Sequence, residues 1–267
     1  LTRLIHLTDL HFGLHRPSLV QPLRAAILAN TPDVVVASGD LTHRARAGQF
    51  RQAMAFLRDL GVRIMVVPGN HDMPLFDLFT RLLHPFGPYR AGVSGDLAPM
   101  LQVGRLRLFG INTADPFSRR GGVVRAGEVD RICRAMRAGP QDVTNILVCH
   151  HPMEEPPGFE RGETRGAPAA MAQLAAAGLH MALSGHLHHW QTGLGISDSA
   201  TRKIFQMQTG TALCDRLRER DHGFTVMDVG ADRVSVTPWI VSQATQQFEA
   251  RPAARFARHD GHWHRVG

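Results

Sequence analysis

A chain of 267 residues with 43% hydrophobic and 20% charged residues can bury a sizeable core, which excludes a disordered or collagen-like polymer. Its longest apolar runs, residues 33–37 with three valines and residues 63–67, are far too short to span a bilayer. The formal net charge of +7 and pI of about 10.7 rest almost wholly on arginine, since Lys203 is the only lysine; this suits an anionic substrate, but the scatter of the arginines does not favour nucleic acid as partner.

The chain enters a strand pattern at once, over Leu4 to Thr8, without an apolar leader ahead of it. Because the first residue is Leu1, a few native residues are expected to be missing. Further β-branched runs at Val34 to Ala37, Ile64 to Val67, Leu106 to Ile111, Ile146 to Cys149 and Met181 to Leu183 read as buried strands. Amphipathic helices are expected between them. Phe50, Ala53, Met54, Leu57 and Leu60 form one stripe, closed by Gly61; Leu75, Phe76, Phe79, Leu82 and Leu83 form the next. After His188 the pattern turns to strands and hairpins, at Trp190 to Ile196, Lys203 to Thr209, Gly223 to Val229 and Val234 to Val241. The succession predicts an α/β, four-layer αββα sandwich with mixed sheets and helices outside them. Residues 1–242 read as one domain, and the Gln-, Ala-, Arg- and His-rich residues 243–267 as a polar, loosely docked tail dispensable for chemistry. Cys133, Cys149 and Cys214 are widely spaced and form no CxxC pair, so the expectation is reduced thiols in a cytoplasmic protein.

Residues of metal-ligating type gather where predicted strands end: Asp9-Leu10-His11, Gly39-Asp40, Gly69-Asn70-His71-Asp72, His150, and Gly185-His186-Leu187-His188. Alternate residues of an extended segment point the same way, so Asp9 and His11 can offer a carboxylate and an imidazole to one ion. A glycine before three of the sets gives room for metal and substrate to approach. In this order, over roughly residues 3 to 240, these motifs resemble the signature of calcineurin-like metallophosphoesterases. The resemblance implies that Asp9, His11, Asp40 and His188 hold one divalent ion and that Asp40, Asn70, His150 and His186 hold a second, with Asp40 as bridge. It also implies that His71 is a catalytic histidine outside the ligand set, with Asp72 beside it to orient and charge the ring.

The chemistry agrees with the composition. Two divalent ions less two carboxylates leave a charge of about +2 before hydroxide binds, which attracts phosphate. A metal-bridging hydroxide would attack phosphorus in line while His71 protonates the departing oxygen. Mixed N and O ligands without cysteine suit Mn, Fe or Zn better than Mg or Ca. Thr42, His43 and Arg44, on the loop after Asp40, and Asn112, at the end of a strand, are candidate substrate contacts. His6, His84, His151, His180 and His222 read as structural, Cys149 as packing, His259, His262 and His264 as an uncommitted run, and Arg90, Arg119 and Arg120 as solvated surface.

Protein serine/threonine phosphatases of the superfamily carry G-D-x-V-D-R-G, whereas here Gly39-Asp40-Leu41-Thr42-His43-Arg44 stands. The compact size, with G-D-L-T and G-N-H-D, is more similar to bacterial class III cyclic nucleotide phosphodiesterases. The expected function is therefore two-metal hydrolysis of phosphodiesters such as 3′,5′-cyclic nucleotides. A phosphomonoesterase, a DNA exonuclease, a lipid-linked pyrophosphatase and a non-catalytic scaffold are the alternatives. No membrane partner is expected, and the oligomeric state is not readable.

Overall fold

The computed structural model describes residues 1–140, 142–154, 163–194, 204–216, 221–260 and 262–266. The first half runs β1 (Thr2–Leu7), α1 (Pro17–Ala29), β2 (Val34–Ser38), α2 (Ala47–Asp59), β3 (Arg63–Val67), α3 (Leu78–Leu83), α4 (Gly87–Gly92), β4 (Met100–Val103) and β5 (Leu106–Gly110). It continues through α5 (Ala126–Ala138), β6 (Thr144–Val148), α6 (Ala167–Ala176), β7 (Met181–Ser184), β8 (Gln191–Leu194) and β9 (Phe205–Gln208). Then come β10 (Gly223–Val229), β11 (Arg233–Val241), β12 (Phe248–Ala250), β13 (Ala254–His259) and β14 (His262–Arg265).

These strands form two mixed sheets. One has the order β14-β13-β11-β10-β1-β2-β3, with β12 also on β11; the other has the order β4-β5-β6-β7-β9-β8. Pairing is parallel along β1-β2-β3 and along β5-β6-β7-β9, and antiparallel elsewhere. Alternation of side chains sorts the strands into layers. Leu4, Val34, Val36 and Met65 face Leu108, Ile146, Val148 and Met181 across the sheet-to-sheet core. Their neighbours Ile5, Leu7, Val35 and Ala37 pack outward on Leu19, Leu23, Ile27, Phe50 and Leu57 of α1 and α2. Phe109, Leu147 and Ala182 do the same with Val129, Ile132, Met136 and Leu174 of α5 and α6. The result is the expected αββα sandwich, and no helix among the described residues is long and apolar enough to cross a membrane.

Three expectations are corrected. Residues 243–267 do not form a loose tail where they are described. They supply β12, β13 and β14, and bury Phe248, Phe256 and Trp263 in the two cores that flank the first sheet. The helix expected from Leu75 starts only at Leu78, where Asp77 caps Thr80, and its apolar residues face out. It is anchored instead by the buried guanidinium of Arg81, which donates to the carbonyls of Pro74, Pro116 and Ser118. The segment after His188 is not wholly antiparallel, because β9 joins β7 in parallel. The expected strand ends at residues 195–196 and at Lys203 lie outside the described residues.

Candidate metal centre

The motif residues sit just beyond β1, β2, β3, β6 and β7, strands drawn from both sheets. Backbone bonds fix these loops to one another: Asp9 N donates to Gly39 O at 3.1 Å and His11 N to Asp40 O at 2.9 Å. Five of the motif residues adopt left-handed backbone, Asp9 (φ 54°), His11 (48°), Asp40 (51°), His186 (70°) and His188 (53°). Such torsions cost non-glycine residues about 1 kcal/mol or more and persist only where surroundings impose them. They turn side chains inward that an extended strand would have splayed. The glycines serve the same convergence. A Cβ at Gly185 would stand 2.6 Å from Asp9 Oδ2, and one at Gly69 would overlap the Asp40 carboxylate. The room they provide is thus filled by neighbouring ligand side chains, rather than being kept for substrate.

Two groups of donors result. In the first, Asp9 Oδ1 lies 2.8 Å from His188 Nε2 and 3.4 Å from His11 Nε2, and the two imidazole nitrogens are 3.3 Å apart. In the second, His150 Nε2 lies 3.1 Å from Asn70 Oδ1, and His186 packs its ring 5.1 Å from that of His150. Asp40 joins them, since its Oδ2 is 3.5 Å from His11 Nε2 and 3.4 Å from His150 Nε2. Its Oδ1 accepts from the His71 amide at 2.8 Å.

The donor chemistry fits cations. His150 Nδ1 must donate to the Ser38 carbonyl at 2.8 Å, so Nε2 is the nitrogen facing Asn70 Oδ1 and Asp40 Oδ2, where it holds either a proton or, once that proton is displaced, a lone pair for a cation. Asn70 Nδ2 donates to Arg119 O at 3.2 Å, which points its oxygen at the same spot. His11 Nδ1 and His186 Nε2 are buried without a hydrogen-bond partner among the described residues. Acceptors facing acceptors repel unless a proton or a cation lies between them. Burial alone would lower His150, but Asp40 and Asp9 with the bond to Ser38 raise it to about 9. Burial holds His11 near 4 and, helped by the charge of His150, His186 near 3, leaving both rings neutral as ligands require. Burial opposes ionisation of Asp40 and Asp9 too, yet the surrounding histidines keep both carboxyls well below the usual range.

His71 stands beside this cluster, its ring 4.8 Å from that of His11 and stacked on His43 at 5.4 Å. Its Nδ1 donates to the His43 carbonyl at 2.9 Å, while Nε2 accepts from Arg216 Nη2 at 3.0 Å. Asp72, expected to orient this ring, does not touch it. Its carboxyl accepts from the amides of Leu41, Thr42 and Gly69 and from the Thr42 hydroxyl at 2.9–3.2 Å, and burial with the charge of Asp40 raises it to about 7. The short 3-10 turn Asn70–Asp72 rotates the two side chains apart, so the His43 carbonyl supplies the orientation instead.

The candidate substrate contacts divide. Thr42 is fully buried, bonded to His71 O and Asp72, and cannot meet a ligand. Asn112 is buried and caps Ala114 N at 3.0 Å, so it also turns inward. His43 lines the site through its ring, and Arg44 is exposed over the face of Phe76 at 5.1 Å. Two residues were missed. His151, read as structural, is buried with its ring 4.4 Å from that of His186, and its donors group with those of His150 and His186. Arg216 lies outside every motif; only its place among basic residues after the last strand of the second sheet could have marked it.

The model of the calcineurin-like phosphoesterase family matches residues 2–190. The chain belongs to this family. A probable cyclic nucleotide phosphodiesterase of Synechococcus sp. is 26% identical over 155 residues, which is 55% of this chain and 56% of that protein. The chain thus matches about half the length of this relative. Similar folds recur among solved structures. A purple acid phosphatase from yellow lupin (Lupinus luteus) superposes with a TM-score of 0.71 at 14% identity, covering 97% of this chain and 54% of that one. A dimetal phosphatase from Danio rerio gives 0.63 at 15%, covering 89% and 95%. Vacuolar Protein Sorting 29 from Cryptosporidium parvum gives 0.52 at 12%, covering 96% and 98%, so the shape alone does not choose between phosphatase and sorting protein.

Proposed function

We propose that this chain is a two-metal hydrolase of phosphodiesters and that 3′,5′-cyclic nucleotides are its substrate class. The observation that carries the reading is the single oxygen Asp40 Oδ2, 3.5 Å from His11 Nε2 and 3.4 Å from His150 Nε2, which would let one carboxylate serve two ions. Asp9, His11, Asp40 and His188 would hold the first ion, and Asp40, Asn70, His150 and His186 the second. Bound there, divalent Mn, Fe or Zn would polarise the phosphoryl group and make water acidic enough to attack near neutral pH.

The remaining work falls to the chain's own side chains. With Nδ1–H fixed on the His43 carbonyl, Nε2 is the atom of His71 that, once it has taken a proton from water, would pass it to the departing alkoxide. Asp72 ties the loops after β2 and β3 together and so sets where His71 and Asp40 stand. The exposed aromatic faces of Phe76 and Phe117 support a substrate with a base, because stacking on such rings accepts any base. Both stand on segments bound to the site, through Arg81 to Pro116 and Ser118 and through Asn70 to Arg119. The name of the Synechococcus relative points to the same substrate class.

A turnover screen of the Mn-loaded protein against cyclic AMP, AMP, a generic diester and single-stranded DNA tests the reading. Cyclic AMP should be hydrolysed faster than AMP releases phosphate; the reverse order makes the chain a monoesterase. His71→Ala should keep both metals and lose ~10²- to 10⁴-fold on the nucleotide diester, but much less on a nitrophenyl ester whose leaving group needs no proton. Equal losses on the two substrates would assign His71 to positioning instead.

A further inference from the structure

Arg216 reaches the site from the loop after β9, and its contact is with His71 Nε2, at 3.0 Å. A carbonyl only accepts and a guanidinium only donates. The two bonds on His71, to the His43 carbonyl and from Arg216, therefore occupy both ring nitrogens. Arg216 is half-buried, yet among the described residues the nearby carboxylates are engaged elsewhere. Asp215 pairs with Arg16 at 2.9 Å, Asp9 and Asp40 face the histidines, and Asp72 takes backbone amides. A permanently charged, planar donor is thus held at the centre of the site by a neutral imidazole. An anionic phosphoryl oxygen is a better partner for it, since both members of the bond are then charged and the guanidinium fork can grip two oxygens together.

We propose that Arg216 exchanges His71 for the phosphoryl group of the incoming ester. This rests on the phosphoesterase reading above and adds a substrate-binding residue to it. The guanidinium swings from His71 Nε2 to a non-bridging phosphoryl oxygen. In leaving, it uncovers the ring nitrogen, which can then take a proton from water and pass it to the departing oxygen. Binding of a phosphoryl group and exposure of His71 then become one event, so a ligand without such a group leaves His71 covered.

The test uses the full chain loaded with zinc, with inorganic phosphate as probe, and compares wild type with R216A and R216K by calorimetric titration after zinc content is measured. Losing a charged hydrogen-bond pair should weaken phosphate binding ~10- to 100-fold in R216A, with R216K between the two because it keeps the charge and loses the fork. In a nitrogen-labelled histidine spectrum, phosphate should shift the His71 Nε2 resonance of the wild type. In R216A that resonance should start displaced and respond little. Unchanged phosphate affinity in R216A at equal zinc content, or a His71 resonance unmoved by saturating phosphate, overturns the exchange. The two readings fail separately. Zinc and phosphate binding with the expected shifts but no hydrolysis of any ester leaves the exchange standing and removes the catalytic reading. Hydrolysis with R216A binding phosphate as tightly as wild type does the opposite.

Discussion

The two halves of the candidate centre are built from different chemistry. The side of β1 and β7 brings its own carboxylate, Asp9, which holds His188 at 2.8 Å and the His186 amide at 3.0 Å. The other half has only uncharged ligand types, Asn70 after β3, His150 after β6 and His186 after β7, and depends on Asp40 for negative charge. Charge sets the attraction for a divalent ion in a buried site, so the first half should bind more tightly and its ion should leave last. The unshared carboxylate, Asp9, would thus separate a firm cation from an exchangeable one.

Asp40 is where the comparison breaks most completely. Asp40→Ala removes the oxygen that, among the described residues, is common to both halves, and the expectation is loss of both ions by elemental analysis with turnover at background. Retention of both would mean that the halves do not share a ligand. Asp9→Asn preserves shape and removes charge from one side, so one ion should be lost and the other kept. Smaller still is Asn70→Ala. It should weaken the second ion by at least roughly 10- to 100-fold, the range seen when a hydrogen-bonded support of a metal ligand goes, and leave the first untouched. A chelator titration sharpens the order: release in two steps, with the second step absent in Asp9→Asn, agrees with the charge argument. Loss of both ions in one step contradicts it.

The sequence made the candidate ligands legible because metal chemistry demands particular side chains, here gathered at strand ends. Asp9, His11, Asp40, Asn70, His150, His186 and His188 do converge. Side-chain direction inside a tight turn was not legible: Asp72, Thr42 and Asn112 are polar, lie beside motif residues and yet turn inward. Nor was the last part of the chain. An edge strand with one covered face buries few residues, and β12, β13 and β14 hide only Phe248, Phe256 and Trp263 among arginines and histidines. Three such residues make no periodicity. Trp263 nevertheless packs on Phe205 and donates to His180 O at 3.0 Å, so Trp263→Ala should cost about 3–5 kcal/mol in denaturant unfolding. A change within a few tenths of a kcal/mol would restore the loose tail.

The left-handed backbone at Asp9, His11, Asp40, His186 and His188 carries an evolutionary consequence. Aspartate and histidine tolerate that region better than most residues, and asparagine and glycine tolerate it as well or better. A lineage that gave up catalysis would therefore keep the fold most easily by drifting to Asn or Gly at these five sites, while Val or Ile would strain the loops that join the sheets. A relative carrying Asn or Gly at all five positions would keep these torsions, and with them the fold, while losing the side chains of the candidate centre.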